Sequence, residues 1–137
     1  MSTTATVTCS DPRVIPEHYL KIGRGEAAVI RNAGGRVSDA MRSLAALDAL
    51  GNTGTVMVVH HTDCGMTHMS DSGVKKMLRE RAPERSAEID DMEFGQILEY
   101  SIKEDLNILR ESPYLSTDLN ILGYNLDIHT GLLTEVK

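Results

Sequence analysis

Long apolar runs and cysteines are both scarce in this sequence of 137 residues. No run approaches the roughly 18 apolar residues that a membrane-spanning helix needs, so we expect no membrane segment. The two cysteines, Cys9 and Cys64, allow a single disulfide, but without signs of secretion we expect free thiols or metal ligands. Composition alone does not choose between those two roles.

Positive charge is also in short supply. The chain has 14 Lys and Arg against 20 Asp and Glu, a net charge of −6, and scattered basic residues argue against a nucleic-acid surface. Residues 1–5 lack the basic and apolar parts of a secretory signal. We therefore expect a cytoplasmic protein with a small-molecule partner, and the length predicts one domain over residues 1–137.

Short β-branched runs alternate with amphipathic stretches along the chain. The strand candidates are residues 4–8, 27–32, 55–60 and 120–128. This alternation predicts an α/β fold with a mainly parallel central sheet flanked by helices. The last run continues into "HTGLLTEV", where Gly131 supplies a turn, and it predicts a short C-terminal edge hairpin.

Two stretches have the apolar periodicity of a helix. The first, "SDAMRSLAALDALGN", has Ser38 as its predicted N-cap and Gly51 as its stop. The second, residues 93–112, places its apolar residues on one face and Glu99 on the solvated one. The charged residues 71–92 between them predict a short helix followed by an exposed connection.

Chemically reactive side chains follow three of the predicted strands. They lie in "CSDPR" at 9–13, "RNAGG" at 31–35 and "HHTDCGMTH" at 60–68. Sites in open parallel sheets assemble at the carboxyl ends of strands, where loops from neighbouring strands converge. If the strands at 4–8 and 55–60 are neighbours, they bring Cys9, His61 and Cys64 together.

Two thiolates and one imidazole form a set of zinc ligands. Zinc favours tetrahedral sulfur and nitrogen donors, and in catalytic sites it keeps a fourth position open to water. A structural zinc site would more naturally supply a fourth Cys or His. We therefore predict one zinc ion per chain at Cys9, His61 and Cys64, and we expect His60 and His68 to be a packed neighbour and a surface residue.

The other members of these motifs allow two roles each. Asp11 either occupies the fourth position on zinc or pairs with Arg13, and that pair is either part of the chemistry or a structural ion pair. Gly34 and Gly35 either permit a tight turn or let the backbone approach the site closely.

In order and separation, the motifs "CSDPR", "GEAAVIRNAGG" and "HHTDCGM" resemble those of the beta-class carbonic anhydrases. The likeness covers nearly the whole chain and extends weakly to the tail "LDIHTGLLTEV". The resemblance implies that Cys9, His61 and Cys64 bind zinc and that Asp11 and Arg13 are the catalytic dyad that positions or releases the fourth ligand. It also implies homodimers or larger homo-oligomers whose subunits share the active-site cleft.

The resemblance implies hydration of carbon dioxide to bicarbonate by attack of a zinc-bound hydroxide on carbon. In that reaction Asp11 would accept a hydrogen bond from the hydroxide, while Arg13 would hold Asp11 away from the metal. The strand with Cys9 begins almost at Met1, so we do not expect the helical arm that commonly wraps a partner subunit in this family.

Other functions remain open. Related proteins on this scaffold hydrolyse carbonyl sulfide or carbon disulfide, linear molecules that would need a roomier and more apolar pocket, and carbonyl sulfide hydrolysis is the main alternative. A non-catalytic zinc protein is less favoured, because Asp11 and Arg13 accompany the three ligands. A nucleotide-binding module is disfavoured, since "RNAGGRV" lacks G-x-G-x-x-G and the lysine of a phosphate loop.

Overall fold

A five-stranded sheet with strand order β2-β1-β3-β4-β5 forms the centre of the computed structural model, which describes residues 3–98 and 100–137. The first four strands run parallel, and β5 pairs antiparallel with β4. This confirms the predicted α/β fold, with its mainly parallel sheet and its C-terminal edge hairpin. The strands are β1 Thr3–Cys9, β2 Ala27–Asn32, β3 Thr53–His61, β4 Asn120–Leu126 and β5 Leu133–Val136.

Five α-helices accompany the sheet in the described ranges, and none of them has the length and apolar character to span a bilayer. Helix α2 packs against β1 and β3, and α5 packs against β3 and β4. Shorter 3-10 turns occupy residues 38–40, 65–67 and 83–85. The helices are α1 Pro16–Tyr19, α2 Met41–Gly51, α3 Asp71–Arg81, α4 Ser86–Asp90 and α5 Ser101–Glu111.

The hydrophobic core lies on both faces of the sheet, because successive side chains of a strand point to opposite faces. Val56 and Val58 of β3 pack in a cluster with apolar residues of α2 and α5. Val59 belongs to a second cluster, against which Met57 packs. The members of that second cluster are Cys9, Val14, Val59, Cys64, Ile97 and Leu126, so both cysteines are part of a buried apolar layer.

The predicted helix over residues 93–112 starts too early, since α5 begins only at Ser101. Gly95 has a φ of +61°, which is outside the right-handed helical region. The Ile97 N–H donates to the Met66 carbonyl at 3.3 Å, and the Leu98 N–H donates to the Ser101 hydroxyl at 2.7 Å. Tertiary hydrogen bonds therefore override the apolar periodicity here, and the predicted solvated position of Glu99 lies outside the described residues.

The predicted helix boundaries elsewhere differ by a few residues. Ser38 is not the N-cap of α2, because it starts a 3-10 turn and α2 follows Ala40 without a side-chain cap. Gly51 is the last residue of α2, and Asn52 takes the left-handed conformation after it, with a φ of +53°. Within residues 71–92, the helix α3 forms as predicted, but part of the expected connection folds into α4.

A buried charge network joins the loop after β2, the end of β3 and α5. The Asp105 carboxylate is completely buried; it accepts a bond from Arg36 Nε at 3.0 Å and lies 2.9 Å from His60 Nε2. Arg36 also donates to the Gln96 carbonyl at 3.2 Å. His60 is thus the packed neighbour that the sequence predicted, and the network holds residues of three elements together.

The network predicts a large stability loss for Asp105→Ala, because the change leaves Arg36 and His60 without their buried acceptor. We expect the free energy of unfolding in urea to fall by about 3–5 kcal/mol. The control is Glu88→Ala, which removes an exposed pair with Arg85 and should cost less than about 1 kcal/mol. Similar losses in the two variants would contradict this account of the network.

Candidate metal centre

The sheet topology brings the three predicted ligands to one edge. Cys9 is the last residue of β1 and His61 is the last residue of β3. These two strands are parallel neighbours, so their carboxyl ends meet. Cys64 follows three residues later and directly precedes the 3-10 turn at 65–67.

The ligand atoms of the three residues have a separation suited to one metal ion. They all lie within 4.8 Å of one another, and the two Sγ atoms are 3.9 Å apart. Two zinc–sulfur bonds of about 2.3 Å at a tetrahedral angle span about 3.8 Å. All three residues are buried, so the donor set and its spacing both fit zinc.

His61 has the tautomer that a metal ligand needs. Its Nδ1 lies 2.7 Å from the Thr62 carbonyl, which can only accept, so Nδ1 carries the proton and Nε2 is left as an acceptor. In the described part of the chain, Nε2 is buried and has no hydrogen-bond partner. Buried polar atoms rarely lack a hydrogen-bond partner, so Nε2 of His61 is free to bind a metal ion. The bond from Nδ1 to the carbonyl is also typical of metal-binding histidines, which donate their other N–H to such a group.

The protein stabilises negative charge on one of the two sulfurs. A hydrogen bond with the Cys64 thiol, together with the backbone N–H groups of Asp11 and Gly34, lowers the pKa of Cys9 to about 4. The same hydrogen bond with Cys9, followed by burial, raises the pKa of Cys64. Burial would lower the pKa of His61, but the Cys9 sulfur and the Thr62 carbonyl raise it.

Asp11 pairs with Arg13 beside the ligand cluster of Cys9, His61 and Cys64. This is one of the two arrangements that the sequence allowed. Arg13 donates from Nη2 to Asp11 Oδ2 at 2.7 Å and from Nε to Oδ1 at 3.1 Å. These bonds and the Arg13 backbone N–H lower the pKa of Asp11 to about 2. Asp11 Oδ2 lies 3.9 Å from His61 Nε2, so the paired carboxylate still faces the ligand cluster.

Sequence reasoning missed two residues that hold the loop after β1. Asp63 accepts from Arg13 Nη1 at 2.9 Å. Arg31 donates to the carbonyls of Cys9, Asp11 and Val14 at 2.9, 2.8 and 2.7 Å. The available signals were a charged residue inside the β-branched run "AAVIRN" and an acidic residue between two predicted ligands in "HTDC".

Both roles considered for the glycines of "RNAGG" occur. Gly34 and Gly35 have positive φ values of +87° and +67°, which glycine adopts without a steric penalty. A Cβ on Gly35 would lie 2.9 Å from the Cys9 nitrogen, so the backbone approaches the first ligand closely. A Cβ on Gly34 would lie 3.0 Å from Cδ1 of Ile97.

A cleft of about 360 Å³ opens beside the cysteines. The structure places Asp11 along its wall and Met69, which is 41% exposed, among its lining residues. His68, by contrast, is an exposed surface residue, as the sequence predicted. The lining residues are Cys9, Ser10, Asp11, Pro12, Ala33, Gly34, Cys64, Gly65, Met66 and Met69.

A family model described as carbonic anhydrase matches residues 4–133. Beta-carbonic anhydrase 1 of Mycobacterium tuberculosis is 34% identical over 136 residues, covering 96% of this chain and 80% of the relative. This chain belongs to the beta-carbonic anhydrase family. The resemblance inferred from the three motifs is thereby confirmed, and the chain is a member of an enzyme family.

Solved structures place the fold in the same family. The carbonic anhydrase from Glaciozyma antarctica superposes with a TM-score of 0.91 and 36% identity, covering 98% of this chain and 81% of that chain. Carbon disulfide hydrolases are also similar. The enzyme of Acidianus sp. is 31% identical over 152 residues, covering 94% of this chain and 74% of the relative, and the apo form of a carbon disulfide hydrolase superposes with a TM-score of 0.80 at 28% identity, covering 97% of this chain and 77% of that chain.

The close approach at Gly35 predicts that Gly35→Ala weakens zinc binding, because the new Cβ would displace the backbone of Cys9. We expect zinc affinity, measured by competition with a chromogenic chelator, to fall by roughly 10- to 100-fold, as when groups that orient metal ligands are altered. Gly51→Ala is the control, since a Cβ there meets nothing within 4 Å. Unchanged zinc affinity in Gly35→Ala would contradict the prediction, because it would show that the backbone at Cys9 moves without a cost to metal binding.

Proposed function

We propose that this chain is a zinc-dependent carbonic anhydrase that hydrates carbon dioxide to bicarbonate, with one zinc ion per chain bound by Cys9, His61 and Cys64. The observation that supports this most strongly is the buried Nε2 of His61, which has no hydrogen-bond partner among the described residues and lies beside two buried sulfurs. Zinc held there would supply the chemistry by making water acidic enough to act as a nucleophile near neutral pH.

The Asp11–Arg13 dyad would orient the attacking water. Asp11 faces the ligand cluster through Oδ2, so it can accept a hydrogen bond from a water molecule in the cleft. Arg13 donates to both carboxylate oxygens and therefore fixes which lone pairs remain free. A carboxylate that is held in one direction accepts a hydrogen bond from water along that direction, and it thereby orients the water before it attacks.

The cleft walls suit an uncharged, linear substrate. Ala33, Met66 and Met69 supply apolar surface beside the polar dyad. Carbon dioxide carries no net charge, so it can enter this cleft without the desolvation cost that a charged molecule would bear. The product bicarbonate is anionic and is better solvated in bulk water, which favours its release.

A sulfur-containing substrate is the second candidate. The carbon disulfide hydrolase relatives and the two methionines of the cleft favour it, because polarizable thioethers contact large soft atoms well. Attack of water at the carbon of carbonyl sulfide would form a carbon–oxygen bond and break the carbon–sulfur bond, and the two protons of the water would leave with the sulfur, giving carbon dioxide and hydrogen sulfide. The same ligands and the same dyad would serve either reaction.

We also propose that residues 1–137 form one cytoplasmic domain that assembles as a homodimer or a larger homo-oligomer. Assembly would remove exposed apolar side chains from water, among them Leu50, which is 89% exposed, and Tyr114, which is 74% exposed. The net charge of −6 disfavours nucleic acid as a partner. Light scattering after gel filtration measures the assembly state directly.

One preparation can decide between the two reactions. Zinc content, stopped-flow hydration of carbon dioxide and sulfide release from carbonyl sulfide and carbon disulfide should be measured together. We expect stoichiometric zinc and fast hydration, both lost in Cys64→Ser and His61→Asn but kept in His129→Asn, which changes an exposed histidine. Sulfide release with little hydration would favour the second candidate, and neither activity in the zinc-loaded protein would overturn the proposal of catalysis.

The proposed role of the dyad predicts a selective effect of Arg13→Ala. We expect kcat/KM for hydration to fall by roughly 10- to 100-fold, while zinc content stays at one per chain, because Arg13 orients Asp11 and binds no metal. Arg13→Lys should recover little, since a lysine cannot donate along the same fork. If Arg13→Ala lowers the unfolding midpoint but leaves kcat/KM unchanged, the pair is a structural one.

A further inference from the structure

Asp63 occupies an unusual place between two of the metal ligands. It lies in the turn that connects His61 to Cys64, and its φ is +53°. This left-handed conformation is uncommon for residues other than glycine, and Asp and Asn tolerate it best among them. The turn geometry is thus compatible with Gly, Asn or Asp, and it does not by itself require a carboxylate at this position.

The carboxylate of Asp63 contacts the outer side of the Arg13 guanidinium. Arg13 Nη1 donates to Asp63 Oδ2 at 2.9 Å, and Arg13 Nη2 donates to the Asp63 backbone carbonyl at 2.8 Å. The remaining donors of the same guanidinium, Nε and Nη2, reach Asp11. The guanidinium is therefore held from two sides by two loops, one after β1 and one after β3.

These contacts have little value for overall stability. The Arg13 and Asp63 side chains are 50% and 51% exposed, and ion pairs at this exposure contribute little to the free energy of unfolding. Their geometric effect is larger. Without the Asp63 carboxylate, the Arg13 guanidinium would rotate more freely, and its bonds would fix the direction of the Asp11 carboxylate less firmly.

We propose that Asp63 is a positioning residue that clamps the Arg13 guanidinium and, through it, orients Asp11 toward the Cys9–His61–Cys64 cluster. The inference rests on the proposed function, because it assigns a further role at the same site. Asp63 itself touches neither the cluster nor the substrate in this account. On the solvent side, His68 lies next to Asp63, with its Nε2 3.6 Å from Asp63 Oδ1.

The first test uses variants that keep the turn. Asn and Gly both accept a positive φ, and both retain the backbone carbonyl that Arg13 Nη2 contacts. We expect kcat/KM to fall by roughly three-fold in Asp63→Asn and by roughly ten-fold in Asp63→Gly, with zinc content unchanged, because a charged hydrogen bond is weakened in one and removed in the other. Full activity in both variants would overturn the proposal.

The matched control is Asp90→Asn. Asp90 also pairs with an arginine, Arg79, and its side chain is 55% exposed, close to the exposure of Asp63. It belongs to α4 and is not among the residues that line the metal cleft. A loss of kcat/KM in Asp90→Asn as large as in Asp63→Asn would show that the effect is a general one of surface charge.

Two further readouts separate positioning from other roles. In a double-mutant cycle, Asp63→Gly should cause no further loss of kcat/KM once Arg13→Ala is present. An undiminished loss of kcat/KM in that background would contradict action through Arg13.

The Nε–H resonance of Arg13, observed by heteronuclear NMR and assigned by its absence in Arg13→Ala, should exchange with solvent several-fold faster in Asp63→Gly. An unchanged exchange rate would contradict the clamp even if the wild-type protein catalysed neither reaction, so failure of the clamp and failure of the proposed function are distinguishable.

Discussion

The parallel pairing of β1 with β3 is the constraint on which the site depends. Each strand ends at a proposed ligand, Cys9 or His61, and the pairing fixes the distance between the strand ends. A slip of one residue would turn every side chain of a strand to the other face. Val56 and Val58 of β3, together with Ala5 and Val7 of β1, are buried in one cluster with residues of α2 and α5. The apolar core itself therefore fixes the register of the two strands that carry Cys9 and His61.

Contacts from residues after β2 and at its end further restrain the residues that the sheet brings together. Arg31, at the end of β2, donates to three carbonyls of the loop after β1. Gly35 approaches the end of β1, where a Cβ would lie 2.9 Å from the Cys9 nitrogen. The polar contacts of Arg31 therefore hold the loop after β1, and the close packing of Gly35 holds the strand end that carries Cys9.

Much of the fold was predictable from the sequence, because buried parallel strands appear as short β-branched runs. The motifs with the proposed ligands stand out because the chain has only two cysteines and because three of its five histidines lie within residues 60–68. Residues 94–98 could not be predicted, since their apolar spacing imitates a helix while hydrogen bonds to Met66 and Ser101 hold them in another form. The contacts of Asp63 and Asp105 also depend on loops that meet only in three dimensions.

The central claim is that two sulfurs and one imidazole nitrogen hold zinc at this sheet edge. X-ray absorption at the zinc edge of the purified protein tests it most directly. The account predicts two sulfur neighbours at about 2.3 Å and one nitrogen neighbour at about 2.0–2.1 Å, with a light atom in the fourth position. A spectrum without sulfur scattering, or with a ligand set that persists in Cys64→Ser, would contradict the assignment of Cys9, His61 and Cys64.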